Sequence, residues 1–211
     1  MKKYISEFIG TFGLVFCGTG SIIINEVSNG AITHVGIAIT FGLIVMAMIY
    51  AFGETSGAHL NPAVTIAFAF NKNFSGKQII PYIISQVSGA FLASLVLLFL
   101  FPTSKLLGAT IPSGSDIQSF VLEFILSFLL MLVIIKVATG SKEQGMFAGL
   151  VIGATVLLEA MFGGPISGAS MNPARSIAPA IVSGEFNQVW IYILAPITGA
   201  AFAVVINKLT K

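Results

Sequence analysis

Asn61, Pro62 and Ala63 recur half a chain later as Asn172, Pro173 and Ala174, each triplet inside a longer shared stretch. The first stretch runs Ser56-Gly57-Ala58-His59-Leu60-Asn61-Pro62-Ala63-Val64-Thr65, the second Ser167-Gly168-Ala169-Ser170-Met171-Asn172-Pro173-Ala174-Arg175-Ser176, and both fit S-G-A-x-x-N-P-A-x-[ST]. An asparagine oxygen caps a helix by accepting from its first-turn N–H groups, and a proline directly after it sits where a missing N–H costs nothing. Each triplet therefore predicts a helix start, with an amide left to point N–H donors at a passing molecule. Arg175, the sole arginine of the chain, replaces the Val64 of the first copy, and His59 stands just before Asn61. Glu7 and Glu123 open a second repeat, E-F-I-x-[ST]-F. These groups can donate, accept and carry charge. They form no nucleophile–base pair, metal constellation or phosphate-binding loop, so they point to recognition and not to catalysis. Cys17 is alone and there are only two histidines, so neither a disulfide nor a metal or other cofactor is expected.

The elements that must hold these residues are membrane helices. The chain of 211 residues is 56% hydrophobic and only 9% charged, against about 25% charged in soluble domains. Six spans are expected near 5–25, 33–53, 79–101, 117–138, 146–163 and 188–207. The stretch after Met1-Lys2-Lys3 is read as the first span and not a signal peptide, because Glu7 interrupts it and no small-residue cleavage site follows. Alternation at period two is absent, which excludes a β-barrel. From each Asn to the next polar break (Asn71-Lys72-Asn73 or Gly184-Glu185) is too short to cross a bilayer, which needs about 20 residues. Each is therefore a half-helix that enters and stops. Lys2, Lys3, Lys72, Lys77, Lys136, Lys142, Lys208 and Lys211 fall on one side in this scheme and Lys105 on the other, so both termini are expected in the cytoplasm.

Three spans and one half-helix per half invert the second half relative to the first. The expected fold is an all-α membrane protein of six transmembrane helices plus two re-entrant half-helices. It forms a single domain over 1–211 with inverted repeats at about 1–105 and 116–211. The half-helices meet at their N-termini near the midplane. Their loops cannot be satisfied by hydrocarbon, so they must line water or be buried in protein, offering carbonyl acceptors along a cavity. Two facing helix N-termini put partial positive charge there, which repels cations and discourages protons while tolerating neutral hydrogen-bonding solutes. Arg175 is expected to face this pore, held by loop carbonyls, and His59 to line it. Glu7 and Glu123 are read either as a proton relay or as anchors for the N–H groups of their own half's loop, with the repeat symmetry favouring anchors.

The paired N-P-A motifs, the E-F-I repeats and Arg175 together resemble the aquaporin (major intrinsic protein) family over essentially the whole chain. Within it, the segment from Phe120 to Ser176 and Gly42-Leu43-Ile44-Val45-Met46-Ala47-Met48-Ile49-Tyr50 are most similar to the nodulin-like branch and its bacterial relatives. The resemblance implies a passive channel of the cell membrane for water and small neutral solutes such as glycerol, urea or neutral metalloid hydroxides such as arsenite. It also implies a homotetramer in lipid, with no enzymatic activity and no nucleic-acid partner. Motif spacing within the family puts the selectivity filter on Phe41, Ala160, Ala169 and Arg175, wide enough for a three-carbon polyol. Three alternatives stay open: a water-selective channel, a secondary transporter, and, weakest, an enzyme. Two residues depart from the family pattern. Glu54 replaces a usual His at the cytoplasmic mouth, and Glu159 sits beside Ala160 where a neutral polar residue is expected, either bonded to a neighbouring helix or protonated. His34 is read as an interfacial residue, and Gly199, Ala200 and Ala201 as outward-facing small residues that permit close packing.

Overall fold

The computed structural model describes residues 1–210, and those residues fold as helices and loops with no strand among them. Lys211, counted above among the cytoplasmic lysines and as the last residue of the second repeat, lies outside the described residues. The first half contains α1 (Lys2–Val27), α2 (Thr33–Ser56), the short α3 (Pro62–Phe70) and α4 (Ile79–Leu100). The second contains α5 (Asp116–Ala138), a five-residue α6 (Lys142–Met146), α7 (Ala148–Ser167), the short α8 (Pro173–Ser183) and α9 (Val189–Leu209). Six of these, α1, α2, α4, α5, α7 and α9, are long and apolar enough to cross a membrane.

Helix ends follow backbone conformation more closely than hydropathy. The expected second and fifth spans stop at 53 and 163, but α2 and α7 run on to Ser56 and Ser167. They end at a glycine in the left-handed conformation, Gly57 or Gly168, both with φ of 85°. The serines that open each repeated stretch thus belong to the last turn of a spanning helix. Helix α6 was not expected. Ser141 and Gln144 close it reciprocally, Gln144 N–H donating to Ser141 Oγ at 3.3 Å and Ser141 N–H to Gln144 Oε1 at 3.0 Å.

The two halves make matching contacts. Helix α1 packs on α4 and α5 on α9, and α2 packs on α7 between the halves. Glycines set these crossings. A Cβ on Gly89 would collide with the Phe8 carbonyl oxygen, and one on Gly199 with that of Phe124. At the junction of the halves, a Cβ on Gly42 would lie 2.7 Å from the Gly153 oxygen, and one on Gly153 2.6 Å from the Gly42 oxygen. Gly199 and Ala200 are buried and Ala201 half-buried, correcting the outward-facing expectation: Gly199 serves the α5–α9 seam inside the chain. Outside, Ile5, Ile9, Leu43, Ile84, Phe162 and Phe202 are exposed, as suits a surface solvated by hydrocarbon.

The half-helices cross between the halves. Both α3 and α8 pack on α4 and α9, so each touches a spanning helix of the opposite half. With 9 and 11 residues, laid end to end they reach about 30 Å, the thickness of a bilayer's hydrocarbon core.

Candidate functional site

The two helix starts meet, and each asparagine serves both of them. Asn61, in extended conformation (φ −155°), accepts from Ala63 N–H at 2.8 Å through Oδ1; Asn172 (φ −146°) accepts from Ala174 N–H at 3.0 Å. Pro62 and Pro173 occupy the first helical positions. The amide groups then reach across: Asn61 Nδ2 donates to the Met171 carbonyl and Asn172 Nδ2 to the Leu60 carbonyl, both at 2.8 Å. One N–H of each amide is thus committed to the opposite loop and one remains. The sequence reading, in which the amide oxygens cap the helices and the N–H donors point at a passing molecule, missed this bond, because no local pattern shows which carbonyl lies opposite.

The loops that precede the half-helices hold unusual backbone. Ala58, Leu60, Ala169 and Met171 have φ of 44°, 53°, 41° and 53°, a region that costs non-glycine residues about 1–3 kcal/mol each. Two buried carboxylates hold them there. Glu7 Oε1 accepts from Ser56 Oγ (2.7 Å) and His59 N–H (2.9 Å), and its Oε2 accepts from Leu60 N–H and Gln86 Nε2 (both 2.8 Å). Glu123 Oε1 accepts from Ser167 Oγ (2.7 Å) and Ser170 N–H (2.8 Å), and its Oε2 from Met171 N–H (2.8 Å). Neither carboxylate lines the cavity. Tyr82 and Tyr192 close each loop's base by donating to the Ser56 and Ser167 carbonyls at 2.8 and 2.7 Å. With the N–H groups drawn outward to the carboxylates, the carbonyls of Gly57, Ala58 and His59, and of Gly168, Ala169 and Ser170, receive no hydrogen bond from the described residues. They are free acceptors.

A cavity of about 680 Å³ passes these loops. Glu54, Asn73, Thr139 and Met146, from helix ends and loops, are among its walls. Leu60, His59, Asn61, Met171 and Asn172 line its middle, and Phe41, Ala160, Ala169 and Arg175 are also among its walls. Glu54 and Arg175 are the charged liners among the described residues, and His59 also lines the cavity. The His59 ring is fixed by a 3.1 Å contact of Nδ1 with Thr65 Oγ1 and by Phe68, Phe74 and Tyr82, whose ring centroids lie 4.9, 4.8 and 5.2 Å away.

Arg175 is buried, and its guanidinium carbon lies 5.3 Å from the centroid of Phe41. Its Nη1 donates to the Gly108 carbonyl at 2.8 Å, while buried Nε has no partner among the described residues. Gly108 (φ 68°) belongs to the connector between the halves. A Cβ there would lie 2.9 Å from Thr19 Cβ, so the glycine permits the approach that brings its carbonyl to Arg175. Two residues on, Thr110 Oγ1 donates to Ser176 Oγ at 2.8 Å. The sequence reading missed this connector, since nothing in residues 101–115 marks which carbonyl meets Arg175. It also missed Gln86, whose Nε2 ties Glu7 to Thr65 Oγ1 (2.9 Å). His34, read as interfacial, pairs through Nε2 with the Met161 carbonyl at 2.7 Å and so joins α2 to α7. Glu159 bonds no neighbouring helix: neither carboxyl oxygen has a partner among the described residues. No group of three or more potential metal ligands occurs among the described residues.

This arrangement can pass a solute along a file of acceptor carbonyls, with donors at Asn61, Asn172 and Arg175. It disfavours cations, because two helix N-termini and a guanidinium share one cavity. Comparisons with known proteins agree with that chemistry. A family model described as "Major intrinsic protein" matches residues 1–207. Aquaporin NIP1-1 of Oryza sativa subsp. japonica is 50% identical over 201 residues, covering 95% of this chain and 71% of its own length. Nodulin-26 of Glycine max is 48% identical over 202 residues, covering 95% and 74%. The X-ray structure of the aquaglyceroporin from Plasmodium falciparum matches with a TM-score of 0.86 at 25% identity, over 97% of this chain and 93% of that one.

Proposed function

The chain belongs to the major intrinsic protein family, and from that premise we propose a filter, a solute range and a topology for it. It is a multi-pass membrane channel for water and small neutral solutes such as glycerol, and not an enzyme. The selectivity filter is the ring of Phe41, Ala160, Ala169 and Arg175. The CH groups of a polyol run against Phe41 and the two alanines while its hydroxyls meet Arg175 and the free loop carbonyls. Asn61 and Asn172, placed by Pro62, Ala63, Pro173 and Ala174, orient the solute at the junction of the half-helices. His59 lines the approach, and Glu7 and Glu123 hold the loops. Urea and neutral metalloid hydroxides fall within the same size and charge range. The single channel domain is built of inverted repeats at about 1–105 and 116–211, sits in the cell membrane with both termini cytoplasmic, and works as a homotetramer with a pore in each subunit.

The observation that carries this reading is the makeup of the ring: three of its four side chains present no polar atom and two of them are alanines, so width and not polarity limits the solute. Stopped-flow light scattering on proteoliposomes tests it. Fast shrinkage in a sucrose step followed by fast re-swelling in a glycerol gradient is the expected result. Fast shrinkage without glycerol uptake would make the channel water-selective and the ring assignment wrong.

A further inference from the structure

The two halves repeat in fold but not in charge. Gly89 meets the Phe8 carbonyl as Gly199 meets that of Phe124, which fixes the register of α1–α4 on α5–α9. In that register Lys136 and Lys208 have Gly20 and Leu98 as counterparts. Both lysines stand in the last turns of their helices, α5 and α9, whereas the last turns of α1 and α4 hold no basic residue. A lysine can compensate the partial negative charge of a helix C-terminus. Equivalent ends fold here without one, so that role does not account for the pair. Lys72 is as unforced: it follows α3 with φ of 63°, where Gly184 makes the corresponding left-handed turn after α8 at 84°.

The fold brings these three lysines to one place. Lys136 Nζ donates to Thr210 Oγ1 at 3.3 Å, and Lys208, two residues before Thr210, holds its Nζ 5.3 Å from the centroid of Phe70. Lys72 is two residues beyond Phe70. All three lysines are exposed. The elements that carry them, α3, α5 and α9, present no exposed acid at this end; Glu54 and Glu143 stand on α2 and α6. Three positive charges therefore share a patch with no acid of its own.

The surface leading to the patch is apolar. Leu129 and Lys136 are seven residues apart and so share one face of α5, as Phe202 and Leu209 share one face of α9. Leu129, Phe202 and Leu209 are all exposed, and Phe202 lies 5.5 Å from Phe128 between ring centroids, so the two faces adjoin. Exposed Phe70 continues this surface to the lysines. Hydrocarbon-facing stripes that end in a cluster of positive charge match a molecule with long apolar chains and an anionic head.

We propose that Lys72, Lys136 and Lys208 form a binding site for the phosphate of an anionic phospholipid, whose acyl chains lie along the exposed faces of α5 and α9. The lysine ammonium groups and the Thr210 hydroxyl donate to the phosphate oxygens. The lipid ties the end of half-helix α3 to the α5–α9 seam from outside the pore. In the orientation proposed above, the cytoplasmic leaflet supplies it; binding in detergent reads the site whichever way the chain faces.

The test is native mass spectrometry of the full chain in detergent, titrated with dioleoylphosphatidylglycerol or dioleoylphosphatidylcholine. Wild type should bind the first lipid of the anionic series about tenfold or more tighter than the zwitterionic one. The triple variant Lys72→Gln, Lys136→Gln, Lys208→Gln should bring the two within about twofold, and the same three positions changed to arginine should keep the preference. A second triple variant, Lys2→Gln, Lys3→Gln, Lys77→Gln, removes the same charge from the α1–α4 side and should also keep it. The proposal is overturned if wild type shows no preference, if the first glutamine variant retains it, or if both glutamine variants lose it equally, since net charge alone would then suffice. Displacement of the anionic lipid by inorganic phosphate at equal concentration would make the ligand free phosphate and overturn the lipid reading.

Discussion

In the proposed filter, Ala160 and Arg175 divide the work of exclusion between width and charge. Replacing Ala160 with histidine puts a ring into the cavity opposite Phe41, and glycerol permeability should fall about tenfold or more while water permeability changes about threefold at most. Light scattering with paired sucrose and glycerol steps reads both. Arg175→Val restores the residue type that stands at Val64 and leaves the Gly108 carbonyl without its 2.8 Å donor. The helix N-termini remain but the full charge is gone, so proton leak should become measurable with a pH-sensitive dye inside the liposomes, and wild type should show none. His59 makes a useful contrast: held by Thr65 and three aromatic rings, it offers a fixed polar face to the cavity and not a mobile gate.

The half-helix loops are held from behind, and the helix seams by the absence of side chains. Glu123→Leu strands the Ser167 hydroxyl and the Ser170 and Met171 N–H groups in the interior, beside backbone already at positive φ. That should cost about 3 kcal/mol or more, read as reduced thermal stability in detergent, with Glu123→Gln intermediate because one acceptor oxygen survives. At the α5–α9 seam, Gly199→Ala drives a methyl into the Phe124 carbonyl, whose position is fixed by its own helix. A loss of about 1–3 kcal/mol is expected. Gly76→Ala, where an added Cβ meets nothing within 4 Å, should leave the melting temperature unchanged and serves as the control.

At the scale of the whole molecule, the proposed orientation rests on the lysines: six crossings put Lys105 opposite the other lysines of the described residues, and the positive-inside rule predicts that the lysine-rich face is cytoplasmic. Introduced cysteines in a Cys17→Ser background test this. Lys105→Cys should react with an impermeant maleimide added to intact cells, whereas Lys2→Cys and Lys208→Cys should react only after permeabilisation. Equal labelling of all three from outside would refute the orientation.

The sequence by itself determined the span count, the two half-helices with their asparagine caps, and the repeat. All three are written in local chemistry: apolar runs of bilayer length, a cap followed by proline, and motifs similar enough to align by eye. Four things were decided only by the tertiary structure. Leu60 and Met171 carbonyls face the opposite asparagines; Gly108 comes to Arg175; Gln86 and the paired tyrosines brace the loops; and Gly199 points inward. Each is a contact between segments far apart in the chain, and no periodicity or cap encodes its partner. Glu159 shows the same division. Its presence beside Ala160 was plain in the sequence, but that both its oxygens would be buried and unpaired depended on what α5 and α2 bring against α7, which only the packed bundle specifies.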